Sequence, residues 1–298
     1  MDTPQEGNPV KGITLVILAT LAFALSDVVT KQQTMRNPVA VVIAVRYIVN
    51  FCVLTLILYP QMGPKLWHVN RKWLVIARGL VLAMASLTMG FALRVMPIGE
   101  TIAIMFIAPF VVMILSSPIL GEKVPLSGWL CAAAGFCGVL LIMRPGGNLP
   151  PVGVALALTN MCFAAAYTIL TRLLSRTEST VSLMWYSGTI GMVFFSIGAV
   201  GSLGDLSVTT PDLGMMLLLG ILATGGHFLF TSAFREAPAA TLAPINYVHL
   251  VWAGILGFVF FDHAPDHIAI VGMALVFGSG VVSALIVRHR RRNQLRHG

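Results

Sequence analysis

Ten long apolar runs constrain this chain of 298 residues more than any other feature. They cover 12–33, 39–59, 73–93, 97–120, 126–143, 152–174, 181–201, 213–234, 238–261 and 267–287. A helix needs roughly 20 apolar residues to cross the hydrocarbon core of a bilayer. The apolar fraction is 57% and the charged fraction only 10%, against about 45–50% and 25% in soluble domains. The sequence therefore predicts an all-α polytopic membrane protein with ten transmembrane helices.

Lys and Arg are unevenly distributed among the loops between these runs. With the N-terminus inside, thirteen lie on the cytoplasmic side and four on the opposite side. Five of the thirteen are in the tail 288–298, where a cytoplasmic anchor explains the charge better than a nucleic-acid arm. We therefore expect both termini to be cytoplasmic and expect no nucleic-acid partner.

A short hinge sequence occurs twice, 141 residues apart. Ala92–Pro97 and Ala233–Pro238 each have an Ala, an Arg two residues on and a Pro three residues later. The same ungapped offset aligns spans with spans and loops with loops. Because five spans per half is an odd number, the second half would enter the membrane from the opposite face. We expect a first five-helix repeat over 1–146, a second, inverted repeat over 147–287, and a basic tail over 288–298.

The stretch Phe91–Met143 carries several short motifs. They are Ala92-Leu93-Arg94, Pro97, Ala108-Pro109-Phe110, Leu120-Gly121-Glu122-Lys123 and the small-residue run Ala132-Ala133-Ala134-Gly135 with Gly138. With these motifs the chain resembles the half-repeat of the drug/metabolite transporter superfamily, in its ten-helix EamA-type branch. In the second half Leu250 stands where Pro109 would map, and Asp262-His263 replaces the Gly-Glu pair.

Within that superfamily the chain looks most like bacterial exporters of aromatic amino acids and metabolites. The resemblance implies a secondary transporter in a bacterial inner membrane that exports small amphipathic metabolites by alternating access at a midplane site between the repeats. Aromatic or other hydrophobic amino acids are the favoured cargo. A broad exporter of drugs or organic cations is the alternative within this class. An integral membrane enzyme is the alternative outside it, but the sequence has no nucleophile–base motif, phosphate loop or zinc pattern.

Ionisable side chains inside the spans are costly and are therefore candidates for function. Arg46 lies eight residues past Pro38, about 12 Å deep at 1.5 Å per residue. Its guanidinium could bind a substrate carboxylate or pair with carbonyls of a neighbouring helix. His227 and His249 could carry a proton or form neutral bonds between helices.

Three further charged residues have simpler interpretations at this stage. Asp27, a third candidate for proton coupling, could instead pair with Lys31 one turn later. Arg78 is close to the end of its span and is expected to extend to the interface. Glu100 is expected to act as a carboxylate at a helix N-terminus.

An aromatic layer is predicted at the pseudo-twofold axis between the halves. Phe106 maps onto Tyr247 under the offset, and Phe23 and Phe163 lie at similar depths on the first helix of each half. Such a layer suits a ring-bearing amphipathic solute, with core packing as the alternative. The predicted substrate-binding residues are Phe23, Arg46, Met84, Thr88, Phe106, Phe163, Tyr167, Asn246, Tyr247 and His249.

Some classes of ligand are disfavoured. Spans six to ten hold no Lys or Arg away from their ends, whereas a carrier of phosphorylated sugars would need cations at the midplane. The cysteines Cys52, Cys131, Cys137 and Cys162 lie in apolar runs without disulfide or metal-ligand spacing. We expect no cofactor and no metal. The expected partners are a small solute and the lipid bilayer, and a monomer is compatible with this function.

Overall fold

The computed structural model describes residues 8–108, 110–112, 114–115, 126–143, 149–174, 177–202, 208–236, 242 and 245–297. Within these ranges the chain forms ten named α-helices, a 3₁₀ turn at Gly63–Trp67 and no strand. The helices are α1 (Pro9–Arg36), α2 (Val39–Met62), α3 (Lys72–Val95), α4 (Ile98–Met105), α5 (Leu126–Met143), α6 (Pro151–Leu174), α7 (Thr180–Val200), α8 (Thr210–Glu236), α9 (Val248–Phe261) and α10 (His267–His297).

Length and composition identify the helices that can cross a membrane. Six of them (α1, α2, α3, α6, α7 and α8) are long and apolar enough, and four shorter apolar helices accompany them. The prediction of an all-α polytopic membrane protein of about ten helices is confirmed. Most predicted boundaries agree with the observed ones, but α10 continues through the predicted tail to His297.

The fourth predicted span, 97–120, is interrupted near its middle. Pro97 precedes α4, as predicted, but α4 ends at Met105 and Phe106–Ile107 form a turn. The residue at position 109 is a proline, which can offer no N–H to the carbonyl of Met105 four residues earlier. This missing donor explains the interruption. The rest of the span, 116–120, lies outside the described residues.

The ninth predicted span, 238–261, is observed as a helix from Val248. Pro238, predicted to begin it, lies outside the described residues. Tyr247 precedes α9 with φ −66° and ψ −13°. Phe106 follows α4 with φ −68° and ψ 0°. The two residues related by the 141-residue offset therefore share one backbone conformation at a helix end.

The longest contact between helices is the antiparallel pair α1–α8. At one end, Lys11 Nζ lies 2.6 Å from Glu236 Oε1. At the other end, Gln33 Nε2 donates to Asp212 Oδ1 at 3.4 Å. The pair is thus fastened at both ends.

A second antiparallel pair, α3–α6, is fastened in a comparable way. The Glu178 carboxylate accepts the backbone N–H groups of Asn70 and Arg71, each at 2.9 Å, just before α3 begins. At the opposite end Gly153 makes room for Met96, since a Cβ on Gly153 would overlap the Met96 side chain. The remaining major pairs are α2–α7, α3–α7, α2–α8 and α5–α10.

The pair α5–α10 crosses through glycines. A Cβ on Gly138 would lie 2.6 Å from the carbonyl oxygen of Gly272, and a Cβ on Gly272 would lie 2.5 Å from that of Gly138. Only glycines permit backbones this close. The two small-residue segments therefore pack backbone against backbone at this crossing.

The contact between α1 and α3 has no comparable counterpart in the described part of the second half. Helix α1 packs against α3, where Lys31 Nζ donates to the carbonyls of Leu93 at 2.7 Å and Met96 at 2.6 Å. Under the 141-residue offset the matching pair is α6–α8, which makes no comparable contact in the described part of the chain. Residues of both α6 and α8 line the cavity described below.

Candidate substrate site

A cavity is lined mainly by α2, α7 and α8, with one residue each from α3 and α6. About 690 Å³ in and around it is free of protein atoms, including space open to solvent. The lining combines polar groups with apolar ones: Arg46, Tyr47, Asn50, Leu54, Leu82, Tyr167, Met184, Ser187, Gly188, Ala223, Thr224, His227 and Phe228. An apolar wall with a few polar groups is typical of a small-molecule site.

Arg46 supplies a positive charge to this cavity. It is half-buried, and its guanidinium carbon lies 5.8 Å from the centroid of the Tyr47 ring. Among the described residues it has no hydrogen bond or ion pair, so the predicted alternative of a structural pair with carbonyls is not observed there. A guanidinium facing a cavity is suited to bidentate binding of a carboxylate.

Asn50 lies one helical turn beyond Arg46, and proton counting fixes the orientation of its amide. Thr224 Oγ1 donates to the carbonyl of Gly220 at 2.8 Å, so it must accept from Asn50 Nδ2 at 3.1 Å. Asn50 Oδ1 therefore points the other way, against Gly188, where a Cβ would approach it to 2.8 Å. This oxygen can accept a hydrogen bond from an ammonium group.

The prediction that Arg78 extends to the interface is wrong. Its side chain is buried, with 3% exposed. It donates to the Tyr167 hydroxyl at 2.6 Å, to Thr171 Oγ1 at 2.7 Å, to Ser187 Oγ at 2.7 Å and to the carbonyl of Leu183 at 2.9 Å. Four acceptors inside the protein compensate the guanidinium for its lost hydration, so the side chain stays buried.

Asp27 also differs from its simpler interpretation. Its carboxylate lies 2.9 Å from His249 Nε2 and so joins α1 to α9. Lys31 instead donates to the carbonyls of Leu93 and Met96 at the end of α3. The predicted Asp27–Lys31 pair is wrong because each side chain has a better partner on a neighbouring helix. The two predicted proton-coupling residues Asp27 and His249 form one acid–base pair.

Aromatic rings connect this pair to the cavity. The Phe23 ring lies 4.9 Å from that of His227 and 6.2 Å from that of His249. The Phe106 ring lies 4.8 Å from that of Tyr247 and 6.1 Å from that of His249. We call Phe23, Phe106, His227, Tyr247 and His249 the aromatic core. His227 belongs to both the core and the cavity lining.

Eight of the ten predicted substrate-binding residues are absent from the cavity lining. Phe23, Phe106, Tyr247 and His249 belong to the aromatic core, and the other four belong to neither group. Thr88 donates its hydroxyl to carbonyls of its own helix, at 2.9 Å to Met84 and 3.0 Å to Ala85, as threonines do where apolar surroundings offer no other acceptor. Met84 lies two residues beyond the lining residue Leu82. Phe163 has no ring contact among the described residues and does not line the cavity. Asn246 is half-buried outside the lining set.

Glu100 occupies the first turn of α4, as predicted, but it also has a side-chain partner. Its buried carboxylate lies 2.9 Å from His263 Nε2. Asp262, which ends α9, has φ +50°, the left-handed conformation that Gly favours and Asp tolerates. Asp262 stands where the first half has Gly121 under the offset, so this turn directs His263 towards α4.

Tyr47, Asn50 and Ser187 line the cavity and were missed by the sequence reasoning. Sequence signals could have found two of them, Asn50 and Ser187. Asn50 follows Arg46 by four residues, which places both on one helix face. Ser187 is the residue onto which Arg46 maps under the 141-residue offset.

Comparison with known proteins adds an independent finding. The model of the EamA-like transporter family matches residues 10–144 and again 151–285. A riboflavin transporter of Rhizobium johnstonii is 25% identical over 97% of this chain and 95% of that protein. A pseudopaline exporter of Pseudomonas aeruginosa is 24% identical over 89% and 93%. An S-adenosylmethionine uptake transporter of Rickettsia bellii is 26% identical over 89% and 90%.

The fold is also found among solved structures. One crystal structure matches 94% of this chain and 97% of its own chain, with a TM-score of 0.64 and 17% sequence identity. At this identity the likeness concerns the fold alone.

Proposed function

Since the chain belongs to the EamA-like transporter family, we propose that it exports small amphipathic metabolites bearing a carboxylate and an apolar or aromatic group. Aromatic and other hydrophobic amino acids are the simplest such solutes. The chain is a multi-pass membrane transporter and not an enzyme. Its relatives are named for three chemically different solutes, so the proposed cargo is argued from the cavity.

The observation that carries this proposal is the Arg46 guanidinium, which faces the cavity without a partner among the described residues. A cation in a low-dielectric site is stabilised strongly by an anionic group. A carboxylate on the substrate would supply it, and Asn50 Oδ1 would accept from the ammonium group. Leu82, Met184 and Phe228 provide an apolar surface for the side chain. An exporter of organic cations would place a like charge beside Arg46, so the chemistry disfavours it.

The fold supports transport by alternating access between two inverted repeats. The family model matches twice, at the 141-residue spacing inferred from the hinges. The helix pairs follow the same spacing, because α1–α8 corresponds to α6–α3 and α2–α8 corresponds to α7–α3. We propose repeats over 1–146 and 147–287 that rock about α2–α7 and α4–α9. In the proposed cycle the α1–α3 contact at Lys31 is one gate, closed in this conformation. The space between α6 and α8 is the other gate, open in this conformation.

We propose that both termini face the cytoplasm of a bacterium and that the open gate faces the same side. Lys31 and its carbonyl partners lie at the ends of α1 and α3, far from the N-terminus of α1. Tyr167, which α6 contributes to the lining, lies in the later half of that helix, on the opposite side. A cavity open to the cytoplasm is the state in which an exporter takes up its cargo.

We further propose that Asp27, His249 and His227 couple transport to protons. Asp27 and His249 are held together across α1 and α9, and the Phe23 ring separates this pair from His227 at the cavity. A buried carboxylate and imidazole can exchange a proton when access changes. Protonation of this pair would then change the contact between α1 and α9 while the substrate occupies the neighbouring cavity.

Reconstitution in liposomes tests the proposal. Uptake of labelled phenylalanine, an organic cation and a sugar phosphate should be measured with and without a pH gradient. We expect phenylalanine to be carried and the other two to be excluded. Arg46→Gln should weaken transport of phenylalanine at least tenfold, the scale of one hydrogen-bonded charge pair. Equal transport of phenylalanine and phenylalaninamide by the unaltered protein would remove the carboxylate from the proposal.

The proposed orientation has a separate test. In a variant without the four native cysteines, a cysteine replacing Asp205 should react with a membrane-impermeant thiol reagent applied to intact cells. A cysteine replacing His68 should not react. The reverse pattern would place the termini outside.

A further inference from the structure

We propose that Arg78 is a positioning residue for substrate recognition. By donating to the Tyr167 hydroxyl oxygen, it directs the Tyr167 proton into the cavity, so that Tyr167 and Arg46 together bind the substrate carboxylate. This inference rests on the proposed function and names the groups that recognise the carboxylate.

The direction of the Arg78–Tyr167 bond is fixed by chemistry. A guanidinium has five N–H donors and no acceptor. Arg78 must therefore donate to the Tyr167 oxygen across the 2.6 Å separation. The single hydroxyl proton of Tyr167 is left to point elsewhere, and no acceptor for it is found among the described residues. Tyr167 lines the cavity, so its proton is available to a solute there.

The Tyr167 ring is also held in place. The guanidinium carbon of Arg78 lies 4.4 Å from the ring centroid. Contact with the ring and a bond to its hydroxyl restrict both rotation of the ring and movement of its tip. A donor whose position is fixed in advance loses little entropy when the substrate binds.

The other lining partner of Arg78 cannot perform the same role. Ser187 Oγ accepts from Arg78 at 2.7 Å and donates its only proton to the carbonyl of Leu183 at 2.9 Å. Ser187 therefore has no donor left. Tyr47 also differs, because its hydroxyl pairs with Ser86 Oγ at 2.8 Å and either oxygen can be the donor. Among these three lining hydroxyls, Tyr167 alone is an obligate donor towards the cavity.

The charge of Arg78 adds to the effect. The partners that the structure describes for it are all neutral: two hydroxyls of α6, one of α7 and a backbone carbonyl. Its positive charge therefore acts on the cavity wall through Tyr167, and no carboxylate lines the cavity. A hydroxyl that accepts from a cation is a stronger donor than a free one. An anionic acceptor is the group that such a donor selects.

Counterflow of labelled phenylalanine in proteoliposomes tests the inference, with unlabelled phenylalanine and phenylalaninamide as competitors. The quantity measured is the ratio of their inhibition constants. Tyr167→Phe should reduce the preference for the carboxylate about tenfold, as expected for one hydrogen bond to a charged group. Tyr47→Phe, the matched control in the same cavity, should change it less than twofold.

Double variants separate positioning from stability. With Arg78→Gln the direction of the bond is no longer fixed, since glutamine both donates and accepts. Adding Tyr167→Phe to this variant should then reduce the preference for the carboxylate less than twofold. With Arg78→Lys the new lysine can only donate, so Tyr167→Phe should still reduce the preference for the carboxylate about tenfold. The inference is wrong if Tyr167→Phe still reduces the preference for the carboxylate about tenfold when Arg78→Gln is present. It is also wrong if Tyr167→Phe does not change that preference when Arg78→Lys is present.

Two controls complete the design. Thr171→Ala removes a partner of Arg78 but not Tyr167, so it should lower the melting temperature and leave the preference intact. A loss of preference there would indicate that Arg78 only holds the helices together. If the unaltered protein itself shows no preference for the carboxylate, the proposed function fails instead. Arg78→Lys keeps the test available if Arg78→Gln does not fold.

Discussion

The ring of Phe106 lies 4.8 Å from the ring of Tyr247, and the two residues are 141 positions apart in the chain. Both are buried, with 4% and 6% exposed, and both stand at a helix end with nearly the same backbone angles. A helix end leaves backbone groups without intrahelical partners, which is tolerated within a membrane protein only where protein or water surrounds it. The two interrupted segments therefore meet at the centre of the fold, beside His249.

The packing of Tyr247 depends on a glycine of α10. A Cβ on Gly280 would overlap the Tyr247 ring, whereas a Cβ on Gly278 meets nothing within 4 Å. We expect Gly280→Ala to lower the free energy of unfolding by about 1–3 kcal/mol, the range for overpacked cores. Gly278→Ala should be neutral or slightly stabilising. Thermal melting in detergent measures both, and equal melting temperatures for the two variants would contradict the prediction.

The Asp27–His249 pair should control coupling rather than binding. Asp27→Asn keeps the shape of the side chain and removes its charge, so proton-driven accumulation should be lost while exchange of phenylalanine across the membrane persists. His249→Gln should behave in the same way. His267→Gln, which alters an exposed histidine, is the control and should retain stimulation by a pH gradient. Persistence of that stimulation in Asp27→Asn would exclude the pair as a proton site.

Gly188 should affect recognition of the ammonium group. A Cβ there would approach Asn50 Oδ1 to 2.8 Å and force the amide to move. We expect Gly188→Ala to raise the KM for phenylalanine several-fold and to change the KM for phenylpropanoate, which has no ammonium group, less. Gly198→Ala on the same helix meets nothing within 4 Å and should leave both constants unchanged. A similar rise for both solutes in Gly188→Ala would point to general disruption of the cavity.

Lys31 should keep the α1–α3 gate closed. Its ammonium bonds two carbonyls at the end of α3, and methionine of similar length cannot replace those bonds. In a variant without native cysteines, Lys31→Met should raise the rate at which an impermeant thiol reagent modifies a cysteine at position 23 from outside. Arg94→Met, which alters an exposed cation nearby, should not raise it. No change in Lys31→Met would mean that other contacts hold the gate.

The link between Lys11 and Glu236 should make stability depend on pH. The hydrogen bond from Lys11, followed by that from the Asn8 N–H, lowers the pKa of Glu236 below its ordinary value of 4.5. A lowered folded-state pKa means that the carboxylate stabilises the fold above its unfolded pKa, and that this contribution is lost as the pH falls through the folded value. Glu236→Gln should therefore melt below the unaltered protein at about pH 7, and the gap should close in acid, once the pH is below the lowered folded-state pKa of Glu236.

Lys11→Gln serves as the partner variant for that measurement, because it removes the other half of the link. It should show the same gap at neutral pH and the same convergence in acid. A gap that does not change with pH would show that Glu236 contributes through packing.

Much of this protein follows from local patterns. Apolar runs predicted the helices because each run has the length that a bilayer requires, and their boundaries depend on adjacent residues such as Pro97. The 141-residue offset placed Phe106 and Tyr247 at the same depth, and their rings meet in the structure. The break after Met105 was missed although Pro109 signals it, because the apolar run continues through the proline without interruption.

The polar partners could not be derived in this way. From the sequence, Asp27 has Lys31 one turn away and Arg78 has an interface within reach, and both local solutions are physically sound. The tertiary structure decided otherwise, because distant helices offer better partners: His249 for Asp27, and Tyr167 with Ser187 for Arg78. The sequence determined which segments are helices and how deep each side chain lies. Only the packing of helices from different parts of the chain decided which polar groups meet, since those contacts join residues as distant in the chain as Asp27 and His249, 222 positions apart.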